Sequence, residues 1–94
     1  MQVKIQGVGL KLTDALKDYV DDKFKKLERK AELVNSINVT LTVDNLTHIA
    51  KADLAVTGDN LHTEAEADSM YAAIDGLIDK VDRQLVKYKE KMKS

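Results

Sequence analysis

Asp75, Asp79 and Asp82 stand at i, i+4 and i+7 of a segment that reads as one helix, "YAAIDGLIDKVDRQLVKYKEK". That spacing aligns three carboxylates along one helical side, and oxygen-rich clusters of this kind suit a hard divalent cation. Measured from the helix's apolar stripe at Ile74, however, they fall at about 80 to 140°. They sit on a convex flank where nothing desolvates them, so a solvated acidic flank is expected rather than a metal site. Asp75 and Asp79 form a like-charge pair, while Asp79 can meet Arg83 at i+4. The two histidines, His48 and His62, fall at a turn and on the polar side of an alternating strand, where surface roles are expected. Cysteine is absent, which removes thiolate chemistry and Cys-type zinc binding. No dinucleotide fingerprint, P-loop, nucleophile elbow or HExxH occurs. The expectation is therefore no enzyme, no cofactor and no metal.

Phosphate recognition is the chemistry that the charges do support. The net charge is only -1, but it is unevenly placed. "KFKKLERK" sets Lys23, Lys25, Lys26, Arg29 and Lys30 against Glu28 alone, and from residue 80 to 93 six cations face only Asp82 and Glu90. Within the second block Lys80, Arg83, Lys87 and Lys91 fall at about 180 to 260° from the apolar stripe. Each block by itself is also what a helix C-terminus attracts for dipole reasons. Two such blocks on helices that end side by side favour a phosphate backbone, most simply folded RNA. The aromatic residues are too few for a base-stacking platform. Tyr19, Phe24 and Tyr88 fall on core stripes, and Tyr71 is expected at the core boundary. Gly76, at about 200°, heads the cationic series. A mid-helix glycine costs roughly 1 kcal/mol against alanine, so its missing side chain is expected to admit an RNA backbone.

The elements that position these groups follow from periodicity. "QVKIQ" alternates as a strand, with Gly7 and Gly9 expected to end it. Thr13 is placed to cap a helix running to about residue 31, with Leu16, Tyr19, Val20, Phe24, Leu27 and Ala31 on its apolar side. "SINVTLTVD", "IAKADLAVT" and "LHTEAEA" alternate as three more strands, joined by turns at "DNLTH" and "GDN". Asp68 or Ser69 caps the last helix, whose stripe is Met70, Ile74, Leu77, Ile78, Val81, Leu85 and Tyr88. The order β-α-β-β-β-α predicts an α+β fold: a four-stranded mixed sheet with two roughly parallel helices on one face, like a double-stranded-RNA-binding domain. A right-handed crossover between parallel first and second strands brings both helix C-termini, and both basic blocks, to one end.

Residues 1–94 are expected to form one domain, with no stretch approaching the roughly 20 apolar residues that span a bilayer. No signal-peptide run opens the chain, so a cytoplasmic location is expected. Two other readings stay open: a protein-interaction module acting through the exposed sheet face around Thr40, and a metal-dependent enzyme using Asp75 and Asp79.

The opening "MQVKIQG", the helix "LTDALKDYVDDKFKKLER", the pair around "VTLTVDNLTH" and the long "EADSMYAAIDGLIDKVDRQLVKYKEK" together resemble the ribosome hibernation promoting factor family, in its short form, over the whole chain. The resemblance implies binding to 16S rRNA in the mRNA and tRNA channel of the 30S subunit, alone or within the 70S ribosome. It implies translational silencing by occlusion in stationary phase or stress, and pairing of ribosomes into inactive 100S dimers together with ribosome modulation factor. The free protein is expected to be a monomer. The family's basic helix residues map onto Lys23, Lys25, Lys26, Arg29 and Lys30, then Lys80, Arg83, Lys87 and Lys91.

Overall fold

A computed structural model of the chain describes residues 2–27 and 34–93. Among these, the elements run β1 (Gln2–Val8), α1 (Asp14–Lys25), β2 (Val34–Asp44), β3 (Thr47–Val56), β4 (Asp59–Ala67) and α2 (Met70–Lys93). The strands form one sheet in the order β1-β2-β3-β4. β1 and β2 are parallel, whereas β2, β3 and β4 are successive antiparallel neighbours. The expected mixed sheet follows directly from one helical crossover and two hairpins.

Local chemistry sets the element ends. Thr13 Oγ1 accepts the Leu16 amide at 3.2 Å, and Ser69 Oγ accepts the Ala72 amide at 3.2 Å. Each supplies a first-turn N–H with the acceptor that the helix lacks. The β2–β3 turn is two residues long, and Asn45 takes φ 56 there, a left-handed conformation that Asn tolerates better than most side chains. α1 ends at Lys25 with Lys26 as its cap, earlier than the expected residue 31; residues 28–33 lie outside the described segments. Gly7 does not end β1 but lies within it, paired with Leu41. A Cβ at Gly7 would stand 3.0 Å from the Leu10 carbonyl oxygen, so the glycine admits the chain as it folds back toward α1.

The alternating strands put Ile37, Val39, Leu41, Ala50, Ala52, Leu54 and Ala65 on the helix-covered face. Val20 and Phe24 of α1 and Ala73, Ile74, Leu77, Val81 and Leu85 of α2 close the core from above. Every buried residue among those described is apolar. The small Ala50, Ala52, Ala65 and Ala73 let the layers approach closely, as dense packing between a helix and a sheet requires. Ala73 and Leu77 are as fully buried as Ile74, so the centre of the α2 stripe lies about 35° from Ile74, toward Leu77. This rotation decides where the polar residues of α2 point.

Candidate nucleic-acid interface

Two neighbours flank α2, and its side chains divide between them. On one flank Tyr71 meets Tyr19 of α1 edge to face, with ring centroids 4.8 Å apart. One turn further, Asp75 Oδ1 accepts the Tyr19 hydroxyl at 2.6 Å and lies 3.4 Å from Lys23 Nζ. Lys23 Nζ also lies 5.2 Å from the centroid of the Tyr19 ring. The contacts step in the same direction on both helices, from 19 and 71 to 23 and 75, so α1 and α2 run parallel as expected. Electrostatics follows from this geometry. The negative charge of Asp75 raises the pKa of the Lys23 ammonium, and the hydrogen bond to Asp75 is the chief cause that raises that of the Tyr19 phenol.

On the other flank α2 lies along β4, one of the two edge strands. Lys80 Nζ donates to the Glu64 carbonyl at 2.8 Å, and Gln84 Nε2 donates to the His62 carbonyl at 3.0 Å. The Tyr88 hydroxyl donates to the Thr57 carbonyl. Lys80, Gln84 and Tyr88 are spaced at i, i+4 and i+8, so one helical row covers the Glu64 and His62 carbonyls of β4 and, at its end, the Thr57 carbonyl of the β3–β4 turn. Such cover is what an edge strand needs to avoid pairing with another chain.

Gly76 heads this same row and corrects the expectation made for it. A Cβ at Gly76 would stand 3.3 Å from Ala65 Cβ, so its missing side chain is accounted for by the approach of α2 to β4. The reason is the rotated apolar stripe: with the core centred toward Leu77, Gly76 swings against the sheet and permits the close approach of helix and strand.

The remaining sequence candidates separate clearly. Lys25 and Lys26 are exposed at the end of α1, whereas Arg29 and Lys30 lie outside the described residues. Lys80, Arg83, Lys87 and Lys91 are exposed on α2. Lys23 differs from them, since its side chain is only 30% exposed and is engaged by Asp75. Because Asp75 faces α1 and Lys80 faces β4, the α2 cations lie on the flank away from α1. Lys25 and Lys26, like Arg83, Lys87 and Lys91, nonetheless lie in the C-terminal parts of their parallel helices. From Tyr19 and Tyr71 onward the helices advance level, so Arg83 to Lys91 extend roughly 12 Å along α2, beyond the level at which α1 ends.

Tyr71 is exposed, at 44%, and its ring packs on Tyr19 of α1 rather than in the core. The Tyr19–Asp75 bond is a tertiary pairing across 56 residues, which helical spacing within either segment could not reveal. Among the described residues no group of three His, Asp or Glu side chains is arranged to hold a metal ion. No helix there is long and apolar enough to cross a membrane. On the open face of the sheet, His62 Nδ1 lies 2.7 Å from Asp53 Oδ1, a cross-strand pair between solvent-exposed side chains.

Comparison with known proteins agrees with this architecture. The chain is 48% identical over 93 residues to a ribosome hibernation promoting factor of Salmonella typhimurium, covering 99% of this chain and 98% of that one. A ribosomal subunit interface protein from Coxiella burnetii superposes with a TM-score of 0.91 at 27% identity, over 96% of this chain and 99% of the other. The N-terminal domain of Thermus thermophilus Protein Y gives a TM-score of 0.84 at 29% identity, over 94% and 99%. The sigma 54 modulation protein / S30EA ribosomal protein family matches residues 3–93, and the chain belongs to that family.

Proposed function

We propose that the chain is a non-enzymatic ribosome hibernation factor that docks its helical, cationic end on 16S rRNA of the small subunit. The observation that carries this reading is the placement of Lys25 and Lys26 at the end of α1 and of Arg83, Lys87 and Lys91 along the second half of α2, all exposed; Lys80, expected among them, instead donates its ammonium to the Glu64 carbonyl of β4. Phosphate contacts of this kind supply a large share of the affinity of a protein for a nucleic acid and need no catalytic group. Arg29 and Lys30 continue the first block in sequence and join the proposed set. Lys23 enters as a partner of Asp75 that keeps α1 against α2. Gly76 is not among the proposed RNA contacts, since it faces Ala65.

The name shared by the relatives, ribosome hibernation promoting factor, supports silencing as the outcome. A wedge of this size in the channel for mRNA and tRNA excludes both by volume, within either the 30S subunit or the 70S ribosome. Formation of 100S dimers with ribosome modulation factor belongs to the same proposal, as does a ribosome-associated, cytoplasmic location and a monomeric free state. The test is cosedimentation with small subunits at two salt concentrations beside a translation assay. Binding is expected to weaken steeply with salt and to be lost on Arg83→Glu with Lys87→Glu. Unchanged cosedimentation of that double variant overturns the reading.

A further inference from the structure

Between the end of α2 and the start of β4 lies a cavity of about 260 Å³, lined by Asp59, Leu61, Gln84, Lys87, Tyr88 and Lys91. Three of its walls are held by hydrogen bonds to the β4 hairpin. Tyr88 is fixed by its hydroxyl on the Thr57 carbonyl, Gln84 by its amide on the His62 carbonyl, and Asp59 by its Oδ1, which accepts the Asn60 amide at 2.8 Å. Gln84 Oε1 is buried and has no donor. The volume is just below the roughly 300–1,000 Å³ of sites for drug-sized molecules, so there is room for one planar group and its linker.

The lining is specific in its chemistry. Lys87 and Lys91, one helical turn apart, supply positive charge for an anion. Leu61 and the Tyr88 ring supply an apolar wall, and Asp59 supplies an acceptor. A site for phosphate alone would gain nothing from Leu61 and would be opposed by the carboxylate. The combination fits a ligand with an anionic tail, a flat apolar body and an N–H donor edge.

We propose that this cavity receives one unpaired nucleotide of the bound RNA, its phosphate on Lys87 and Lys91 and its base against Leu61 and Tyr88. The Asp59 carboxylate selects a base that carries an exocyclic amino group, as carboxylates do toward cytosine N4. Folded RNA is recognised largely through such unstacked nucleotides, whose faces and edges are free. The proposal rests on the RNA-binding reading and names what one part of that surface selects.

The experiment is a titration of the full chain, followed by amide NMR, with CMP, UMP and inorganic phosphate, paired with small-subunit cosedimentation of Leu61→Trp. CMP is expected to shift Leu61, Gln84 and Tyr88 saturably, and UMP more weakly; phosphate should move only the signals of the lysine turn. Leu61→Trp, which fills the cavity without altering charge, should lower small-subunit affinity roughly tenfold, the worth of one base contact, with its melting temperature showing that it folds. Equal shifts at Leu61 and Tyr88 from phosphate and CMP overturn the cavity as a nucleotide site. An equal response to UMP and CMP overturns selection by Asp59. Full small-subunit affinity in folded Leu61→Trp, with Arg83→Glu still defective, overturns the cavity while leaving the RNA reading standing. Full affinity in Arg83→Glu with Lys87→Glu overturns the RNA reading, and the nucleotide site falls with it.

Discussion

The Tyr19 hydroxyl of α1 donates to Asp75 Oδ1 of α2 at 2.6 Å, and Lys23 Nζ approaches the same oxygen at 3.4 Å. One carboxylate thereby gathers a phenol and an ammonium from the neighbouring helix. Asp75 raises the pKa of both groups, so the folded protein holds these two protons more tightly than the unfolded chain. The associated stability is complete below about pH 10 and is lost as pH rises through the folded values. Phenolate absorbance titration of the three tyrosines should show one lagging behind, and Asp75→Asn should bring it down. Denaturant melts should show wild-type stability falling more steeply above pH 10 than that of Asp75→Asn. Superimposable pH profiles for the two proteins would refute the clasp.

Lys23 and Lys26 lie three residues apart in one basic block, yet their surroundings predict different roles. Lys26 is exposed at the end of α1, while Lys23 already has the Asp75 carboxylate beside it. A lysine that releases a counterion from RNA contributes roughly 0.7 to 0.9 to the slope of log affinity against log salt. Lys26→Met should reduce that slope by about this amount. Lys23→Met should weaken small-subunit binding through loss of helix alignment and leave the slope nearly unchanged. Equal slope losses in the two variants would place Lys23 among the phosphate contacts.

The fold was legible because its signals are local. Period-2 alternation in β2, β3 and β4, the Thr13 and Ser69 caps and the 3.6-residue stripe of α2 each act over a few residues, and together they leave one simple topology. The site was legible only as a set of cations. Which way Gly76 and Lys80 face depends on a rotation of about 35° in α2, to which Met70, Leu77 and the fully buried Ala73, all on one side of Ile74, contribute. Alanine is a weak hydrophobic marker, so placing the stripe on Ile74 was natural from the larger side chains alone. The Tyr19–Asp75 and Lys80–Glu64 contacts join distant segments, and nothing in either segment's periodicity encodes them.

Gly76 gives a direct test of that rotation. Alanine there would regain roughly 1 kcal/mol of helix propensity, but its Cβ would stand 3.3 Å from Ala65 Cβ, a tight contact that offsets much of the gain. Gly76→Ala should therefore change stability by less than about 1 kcal/mol. Gly76→Leu forces the helix off β4 and should cost about 1–3 kcal/mol, at roughly 4–8 °C of melting temperature per kcal/mol. Ala65→Gly should recover part of the loss in the Gly76→Leu background and little in wild type. If Gly76→Leu melts as wild type does, the glycine does not face the strand.

Lys80 and Arg83 separate stability from binding on a single helix. Lys80 spans from α2 to the Glu64 carbonyl at 2.8 Å, covering the edge of β4 beside the Gln84 bond to His62. Solvent exposure of Lys80 keeps this hydrogen bond near the ordinary net value of about 0.5–1.5 kcal/mol. Lys80→Met should thus lower the thermal midpoint measurably, and Lys80→Met with Gln84→Met should lower it further, because two carbonyls of the edge then lose their donors. The double variant should also associate at high concentration, as uncovered edges do, which light scattering would detect. Arg83→Met should melt close to wild type while losing about one phosphate contact in the salt dependence of small-subunit binding. A fall in melting temperature for Arg83→Met that matched Lys80→Met would remove the distinction between the β4-facing row and the cations proposed to contact RNA.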